Sequence, residues 1–172
     1  MGLIFSVGNP ADVQSEPFAE QVRATLAKYF GESIVLDSSD APYSSAEVAW
    51  SGWALLQEKA VQTITAEQAP HFLSMAAWFG CFVPTEVRSG ALEFPGESLP
   101  MSVASLPALV RELELVGGVL GLPIDDRGLR QLARRYQDED IEEDDFANQT
   151  YVELLLAAHE ATRRRQVLWV IK

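Results

Sequence analysis

The sequence predicts an α+β fold in a single domain spanning residues 1–172, with a small mixed sheet packed against several helices. Three observations carry this expectation. Residues 3–7 and 167–171 are short, apolar, β-prone runs at opposite ends of the chain, the length of strands rather than helices. Several stretches between them repeat apolar residues every three or four positions, the period of a helix with one buried face. With 172 residues, 48% hydrophobic and 22% charged, the chain can bury a sizeable core without a disulfide or a structural metal.

Taken in order, residues 3–7 form the first strand, ended by Gly8-Asn9-Pro10. Ser15 and Pro17 then open a helix that places Phe18, Val22, Leu26, Tyr29 and Phe30 on one face and stops at Gly31. Ser33-Ile34-Val35-Leu36-Asp37 reads as a second strand, giving a strand–helix–strand opening. Ser44 and Glu47 have capping-box spacing ahead of a helix carrying Trp50, Trp53 and Leu56. Residues 61–65 fit either a short strand or the end of that helix. Another helix begins near Pro70, and residues 91–94 form a short strand in a Pro- and Gly-rich stretch.

The last third is the most legible. Ser105 caps a helix with Leu106, Leu109, Leu113 and Val116 on one face, stopped by Gly121 and Pro123. Asp126 caps the next, which carries Leu129, Leu132, Ala133 and Tyr136. A third runs from about Phe146 to Arg164 with Val152, Leu155, Leu156 and His159 as one stripe. The strand near 166–171 is unbrokenly apolar, as expected of a strand buried on both faces and inserted late into the sheet.

Composition bounds function. Residues 1–100 hold 12 acids against 4 bases and residues 101–172 hold 13 against 9, for a net charge of −12. Such a surface repels phosphate and anionic lipid, so neither nucleic acid nor membrane is an expected partner; a basic protein is. One cysteine, Cys81, cannot form an internal disulfide, which points to a reducing, cytoplasmic setting. Gly2 and Ser6 match an N-myristoylation pattern, but a first strand accounts for the same residues.

No motif with adequate specificity for a cofactor, a metal or a catalytic centre survives inspection; no cofactor and no metal are expected, and catalysis stays open because many enzymes assemble sites from scattered residues. The acidic run over residues 138–145 lacks the glycine and terminal glutamate of a calcium loop; counting from Asp138, those positions are Glu143 and Gln149. Its last acids precede a helix N-terminus and Arg163-Arg164-Arg165 close the same helix, as the macrodipole favours. His159-Glu160 lacks the second histidine of a zinc motif, since Arg163 stands there. Cys81 and His71 would make a nucleophile–base pair only if folding joined them, and Cys81 sits in an apolar run that disfavours the thiolate. The glycines around Gly117 match neither phosphate-binding pattern.

Three readings of function follow. The first is a non-enzymatic binding module, an acidic inhibitor, immunity factor or adaptor for a basic partner. Asp140, Glu142 and Asp144 would be its electrostatic part, and Trp50, Trp53 and Tyr43 its anchors. The second is a small enzyme with a dispersed carboxylate and histidine site, its participants Asp37 and His71, its catalytic set otherwise unknown. The third is a self-associating structural subunit using residues 106–122 and 151–161, a homo-oligomer.

Overall fold

A computed structural model of the chain describes residues 2–35, 40–75, 80–94, 100–138 and 140–172. Within them the fold is α+β, a mixed sheet with helices packed on both faces. The first strand, β1 (Gly2–Val7), leads through a single helical turn, α1 (Pro10–Val13), into α2 (Phe18–Phe30). Two short strands, β2 (Tyr43–Ser44) and β3 (Val48–Ala49), precede α3 (Trp50–Val61) and α4 (Pro70–Ser74). Strands β4 (Gly80–Val83), β5 (Gly90–Leu92) and β6 (Met101–Ser105) then lead into α5 (Leu106–Leu120). Helices α6 (Asp126–Asp138) and α7 (Phe146–Arg164) form an antiparallel hairpin, and β7 (Leu168–Ile171) ends the chain.

The order across the sheet is β2-β1-β7-β4-β6-β5, with β3 also paired to β1. The final strand lies at the centre, antiparallel to both β1 and β4, while β4 and β6 are parallel. Alternation assigns the faces. Leu3, Phe5, Val7, Phe82, Leu168 and Val170 meet α3, α4, α5, α6 and α7 in the larger core. Cys81, Val83, Val103, Trp169 and Val167 meet α2 in the smaller one. A strand covered on both sides needs no polar face, which explains the unbroken apolar sequence of β7.

Three local expectations are corrected. Over its described part, residues 33–35, the second strand expected at 33–37 does not form; Leu36 and Asp37 lie outside the described residues. Glu32–Ile34 is a 3₁₀ turn whose amides are spent locally, Val35 N donating to Glu32 O at 3.1 Å. Ile34 and Val35 then pack on the α2 face as core side chains. The capping box at Ser44 and Glu47 also does not form. Ser44 pairs its hydroxyl with that of Ser6 across the sheet, and Ser45 Oγ accepts from Phe5 N. These polar groups satisfy the edge of β1, and α3 begins only at Trp50. Finally, Asp125, one residue earlier than expected, is the acid whose Oδ1 accepts from Gly128 N at the start of α6.

Helix α7 is the spine of the larger core. It contacts α3, α5, α6 and β1, and nearly all of residues 149–158 are buried. It crosses α3 at Gly52, where Thr150 and the Phe146 carbonyl approach so closely that a β-carbon would collide with both. Among the described residues, no helix is long and apolar enough to cross a membrane.

Candidate functional site

The structure separates the residues singled out above. Trp53 is 1% exposed and packs against Phe5 and Phe72 at ring-centroid distances of 6.0 and 5.6 Å. It is a core residue and cannot anchor a partner. Trp50 is half-buried, with Lys172 Nζ 4.7 Å from its ring centre. The stretch 151–161 is likewise interior, so it supplies no self-association face; the exposed apolar residues nearby are Leu115 and Val119 on α5, with Ile124 beyond it. Cys81 projects into the α2 side of the sheet, whereas the segment bearing His71 packs on the other, so the two do not pair. Burial pushes the Cys81 thiol far above its ordinary range. Asp37 lies outside the described residues.

Three surface features remain. The first is the acidic connection between α6 and α7. Asp140, Glu142, Glu143 and Asp144 are exposed, and none of their carboxylates has an ion-pair partner among the described residues. Lys59 donates to the backbone carbonyl of Asp144 at 3.2 Å and not to a carboxylate. Beside this ledge lies a hollow of about 420 Å³ lined by Leu55, Lys59, Glu143, Asp144 and Ala147.

The second feature is a cleft of about 390 Å³ around His71, Glu86, Arg111 and Glu112. The Ser105 amide donates to His71 Nδ1 at 3.1 Å, which leaves Nε2 as the protonated nitrogen of the neutral ring. Glu112, 6% exposed, accepts from the amides of His71 and Phe72 and so caps α4 from α5. Burial raises its carboxyl, and those two amides partly offset the effect. Glu86 and Arg111 form an exposed bidentate pair that lowers the Glu86 carboxyl.

The third is a cleft of about 220 Å³ where β2 meets α6 and α7, lined by Tyr43, Arg130, Arg134, Gln137, Glu153 and Leu156 among others. Tyr43 is placed by pairing with Val7 and by Arg164, whose guanidinium donates to Ala41 O at 2.5 Å. Arg164 is in turn held by Glu160, which also binds Arg163. Arg163 and His159 share Asp126, at 2.9 and 2.6 Å. Burial alone would raise the Asp126 carboxyl, but these hydrogen bonds outweigh it and hold it low. Glu153 is 3% exposed; its Oε2 accepts from Ala46 N at 3.2 Å, and burial raises its carboxyl. Burial also raises the Tyr43 phenol, reinforced by the charge of Glu153 and opposed by Arg130.

Of the residues in this third cleft, the sequence pointed only to Tyr43. Glu153 carried a usable signal, a single acid inside the apolar stretch Tyr151-Val152-Glu153-Leu154-Leu155. Arg130 and Arg134 carried another, two cations one helical turn apart. Among the described residues no group of three or more His, Cys, Asp or Glu side chains is arranged to hold a metal. No protein-family model matches the chain, and no curated protein or solved structure is similar to it.

Proposed function

We propose that the chain works by contact, as a non-enzymatic binding module for a basic protein partner that docks on the α6–α7 connection. The observation that carries this reading is the ledge itself. Asp140, Glu142, Glu143 and Asp144 stand exposed without an ion pair among the described residues, beside a hollow with an apolar wall at Leu55 and Ala147 and with Lys59 tied to the Asp144 carbonyl. A lysine or arginine of the partner would lay its aliphatic stem against that wall and its charge among the carboxylates. The net charge of −12 adds long-range attraction, which acts mainly on the rate of encounter. Trp53 has no part in this surface; Trp50 and Tyr43 lie outside the residues that line the hollow.

The test compares the wild-type chain with the triple variant Asp140→Lys, Glu142→Lys, Asp144→Lys as bait in lysate of the source cells. Capture is run at about 0.05 M and about 0.5 M salt, concentrations that bracket strong and weak screening. One basic protein held near stoichiometry by the wild type at low salt, weakened at high salt and absent from the variant is the expected result. With that protein in hand, charge reversal should slow association by about ten-fold or more. Identical retention by both baits overturns the reading.

A second reading, a small enzyme, has one observation in its favour. His71 is fixed in a single neutral tautomer at the mouth of a cleft that also holds Glu86, Arg111 and Glu112. Once any activity is found, an unchanged rate in His71→Gln removes it.

A further inference from the structure

We infer that the cleft between β2, α6 and α7 binds a small zwitterion of amino-acid size, its carboxylate on Arg130 and Arg134 and its ammonium on Glu153 and Tyr43. The groups that line it are matched to such a molecule and are not matched to each other. Arg134 has no ion-pair or hydrogen-bond partner among the described residues. Arg130 reaches only to 3.9 Å from Asp126 Oδ2, an oxygen that Arg163 already holds at 2.9 Å. The two guanidinium groups stand one turn apart on α6, a spacing that lets both reach one carboxylate. On the opposite wall, Glu153 is 97% buried, yet only its Oε2 is bonded; Oε1 has no partner among the described residues. The Tyr43 hydroxyl is also without one, and the charge of Glu153 acts on it directly.

The unbonded Oε1 is not sealed off but stays open to the cleft, and a positively charged donor is the partner that suits a carboxylate oxygen best. An ammonium group supplies that. A simple anion would satisfy the arginines but face Glu153 unfavourably, and a simple cation would have the converse difficulty. A molecule with both charges answers both walls. The cleft, about 220 Å³, has room for a molecule the size of an amino acid. Ala133 and Leu156, both buried and in the lining, give the side chain an apolar floor. This site is separate from the acidic ledge and depends on none of its residues.

The experiment is an NMR titration of the full ¹⁵N-labelled chain with the twenty protein amino acids one at a time. Acetate, n-butylamine and inorganic phosphate serve as single-charge probes. At least one amino acid should shift the amide signals of Ala46, Arg130, Arg134 and Glu153 saturably, while each single-charge probe binds at least about ten-fold more weakly. Arg134→Ala and Glu153→Gln should each weaken the amino acid by about ten-fold or more. Arg134 is exposed, so its variant keeps the test decisive if the buried substitution disturbs folding. Three results would each overturn the proposal. These are no saturable shift up to about 10 mM of any amino acid, acetate or phosphate binding as well as the best amino acid, or affinity unchanged in Arg134→Ala.

Discussion

Gly52→Ala tests whether the α3–α7 crossing depends on a missing side chain. A β-carbon at position 52 would lie 2.3 Å from Thr150 Oγ1 and 2.7 Å from the Phe146 carbonyl oxygen, where ordinary contact begins at 3.4 Å. The threonine cannot simply swing aside, because it is fully buried and donates to that same carbonyl at 2.8 Å. The helices must therefore separate, or α7 must shift locally, and overpacking of this kind costs about 1–3 kcal/mol. Alanine returns up to about 1 kcal/mol through its better helix propensity. The net expectation is a loss of about 1–2 kcal/mol, or a few degrees in Tm for a chain of this size. Gly118→Ala supplies the control. It makes the same change in the exposed face of α5, where a β-carbon meets nothing within 4 Å, and should gain about 0.5–1 kcal/mol. Urea unfolding followed by tryptophan fluorescence reports both, since Trp53 is buried on the same helix as Gly52. A Gly52→Ala chain at least as stable as the wild type, with an unchanged urea dependence, would refute the packing argument.

Other consequences follow from burial and backbone geometry. Burial raises the Glu153 carboxyl, so the folded chain holds that proton more tightly than the unfolded one and unfolding releases it between the ordinary and the raised pKa. Stability then declines as pH rises through that interval, and Glu153→Gln should flatten the decline in urea titrations run across it. Glu112→Gln should behave differently despite a similar raised carboxyl. Each carboxylate oxygen accepts one of the two backbone amides, and glutamine would set an NH2 donor against one of them, so the variant should lose about 1–3 kcal/mol at pH 7 by urea unfolding. The Cys81 thiol should react with a disulfide reagent only as fast as the chain opens; reaction at the rate of a free thiol in native buffer would contradict its placement inside the sheet. Arg165, the left-handed C-cap of α7 at φ 54°, is exposed, so Arg165→Gly should raise stability by about 0.5–1 kcal/mol in the same assay.

What the sequence made legible was whatever local periodicity and capping decide. Helix α7 runs over the residues its apolar stripe marks, α5 begins at Ser105 with the expected cap, and Gly121 ends it in the left-handed conformation. The burial of β7 on both faces was legible too, because an unbroken apolar strand has no face to give to water; its place in the strand order was not. Failures came where a segment's hydrogen bonds were claimed by something distant in sequence. Ser44 and Glu47 resemble a capping box until β1, some forty residues earlier, pairs Ser6 with the Ser44 hydroxyl and donates Phe5 N to Ser45 Oγ. Trp50 and Trp53 are three residues apart in one helix, yet Trp53 packs against Phe5 of β1 and Phe72 of α4 in the core while Trp50 is half-buried beside Lys172. The third cleft was hidden for the same reason, since Tyr43, Arg134 and Glu153 meet only after the α6–α7 hairpin packs under β2.

The acids of the α6–α7 connection fall into two groups with different physics. Those at 143–145 form the turn that enters α7, and the positive end of its dipole favours them. Asp140 lies just beyond the end of α6, at the negative end of that helix, where a carboxylate opposes the dipole instead. Helix stability therefore explains the acids at 143–145 and not Asp140. Seven of the thirteen lysines and arginines are on α6, α7 and the C-cap Arg165, so cations are plentiful on these helices. Even so, the described carboxylates at 140, 142, 143 and 144 make no ion pair with them among the described residues. Arg163 and Arg164 bind Asp126 and Glu160 at the other end of the hairpin. The cation placed against these acids, Lys59, spends its ammonium on the Asp144 carbonyl, so the carboxylates at 140, 142, 143 and 144 keep their charge unpaired among the described residues, and that unpaired charge is the physical argument behind the proposed basic partner.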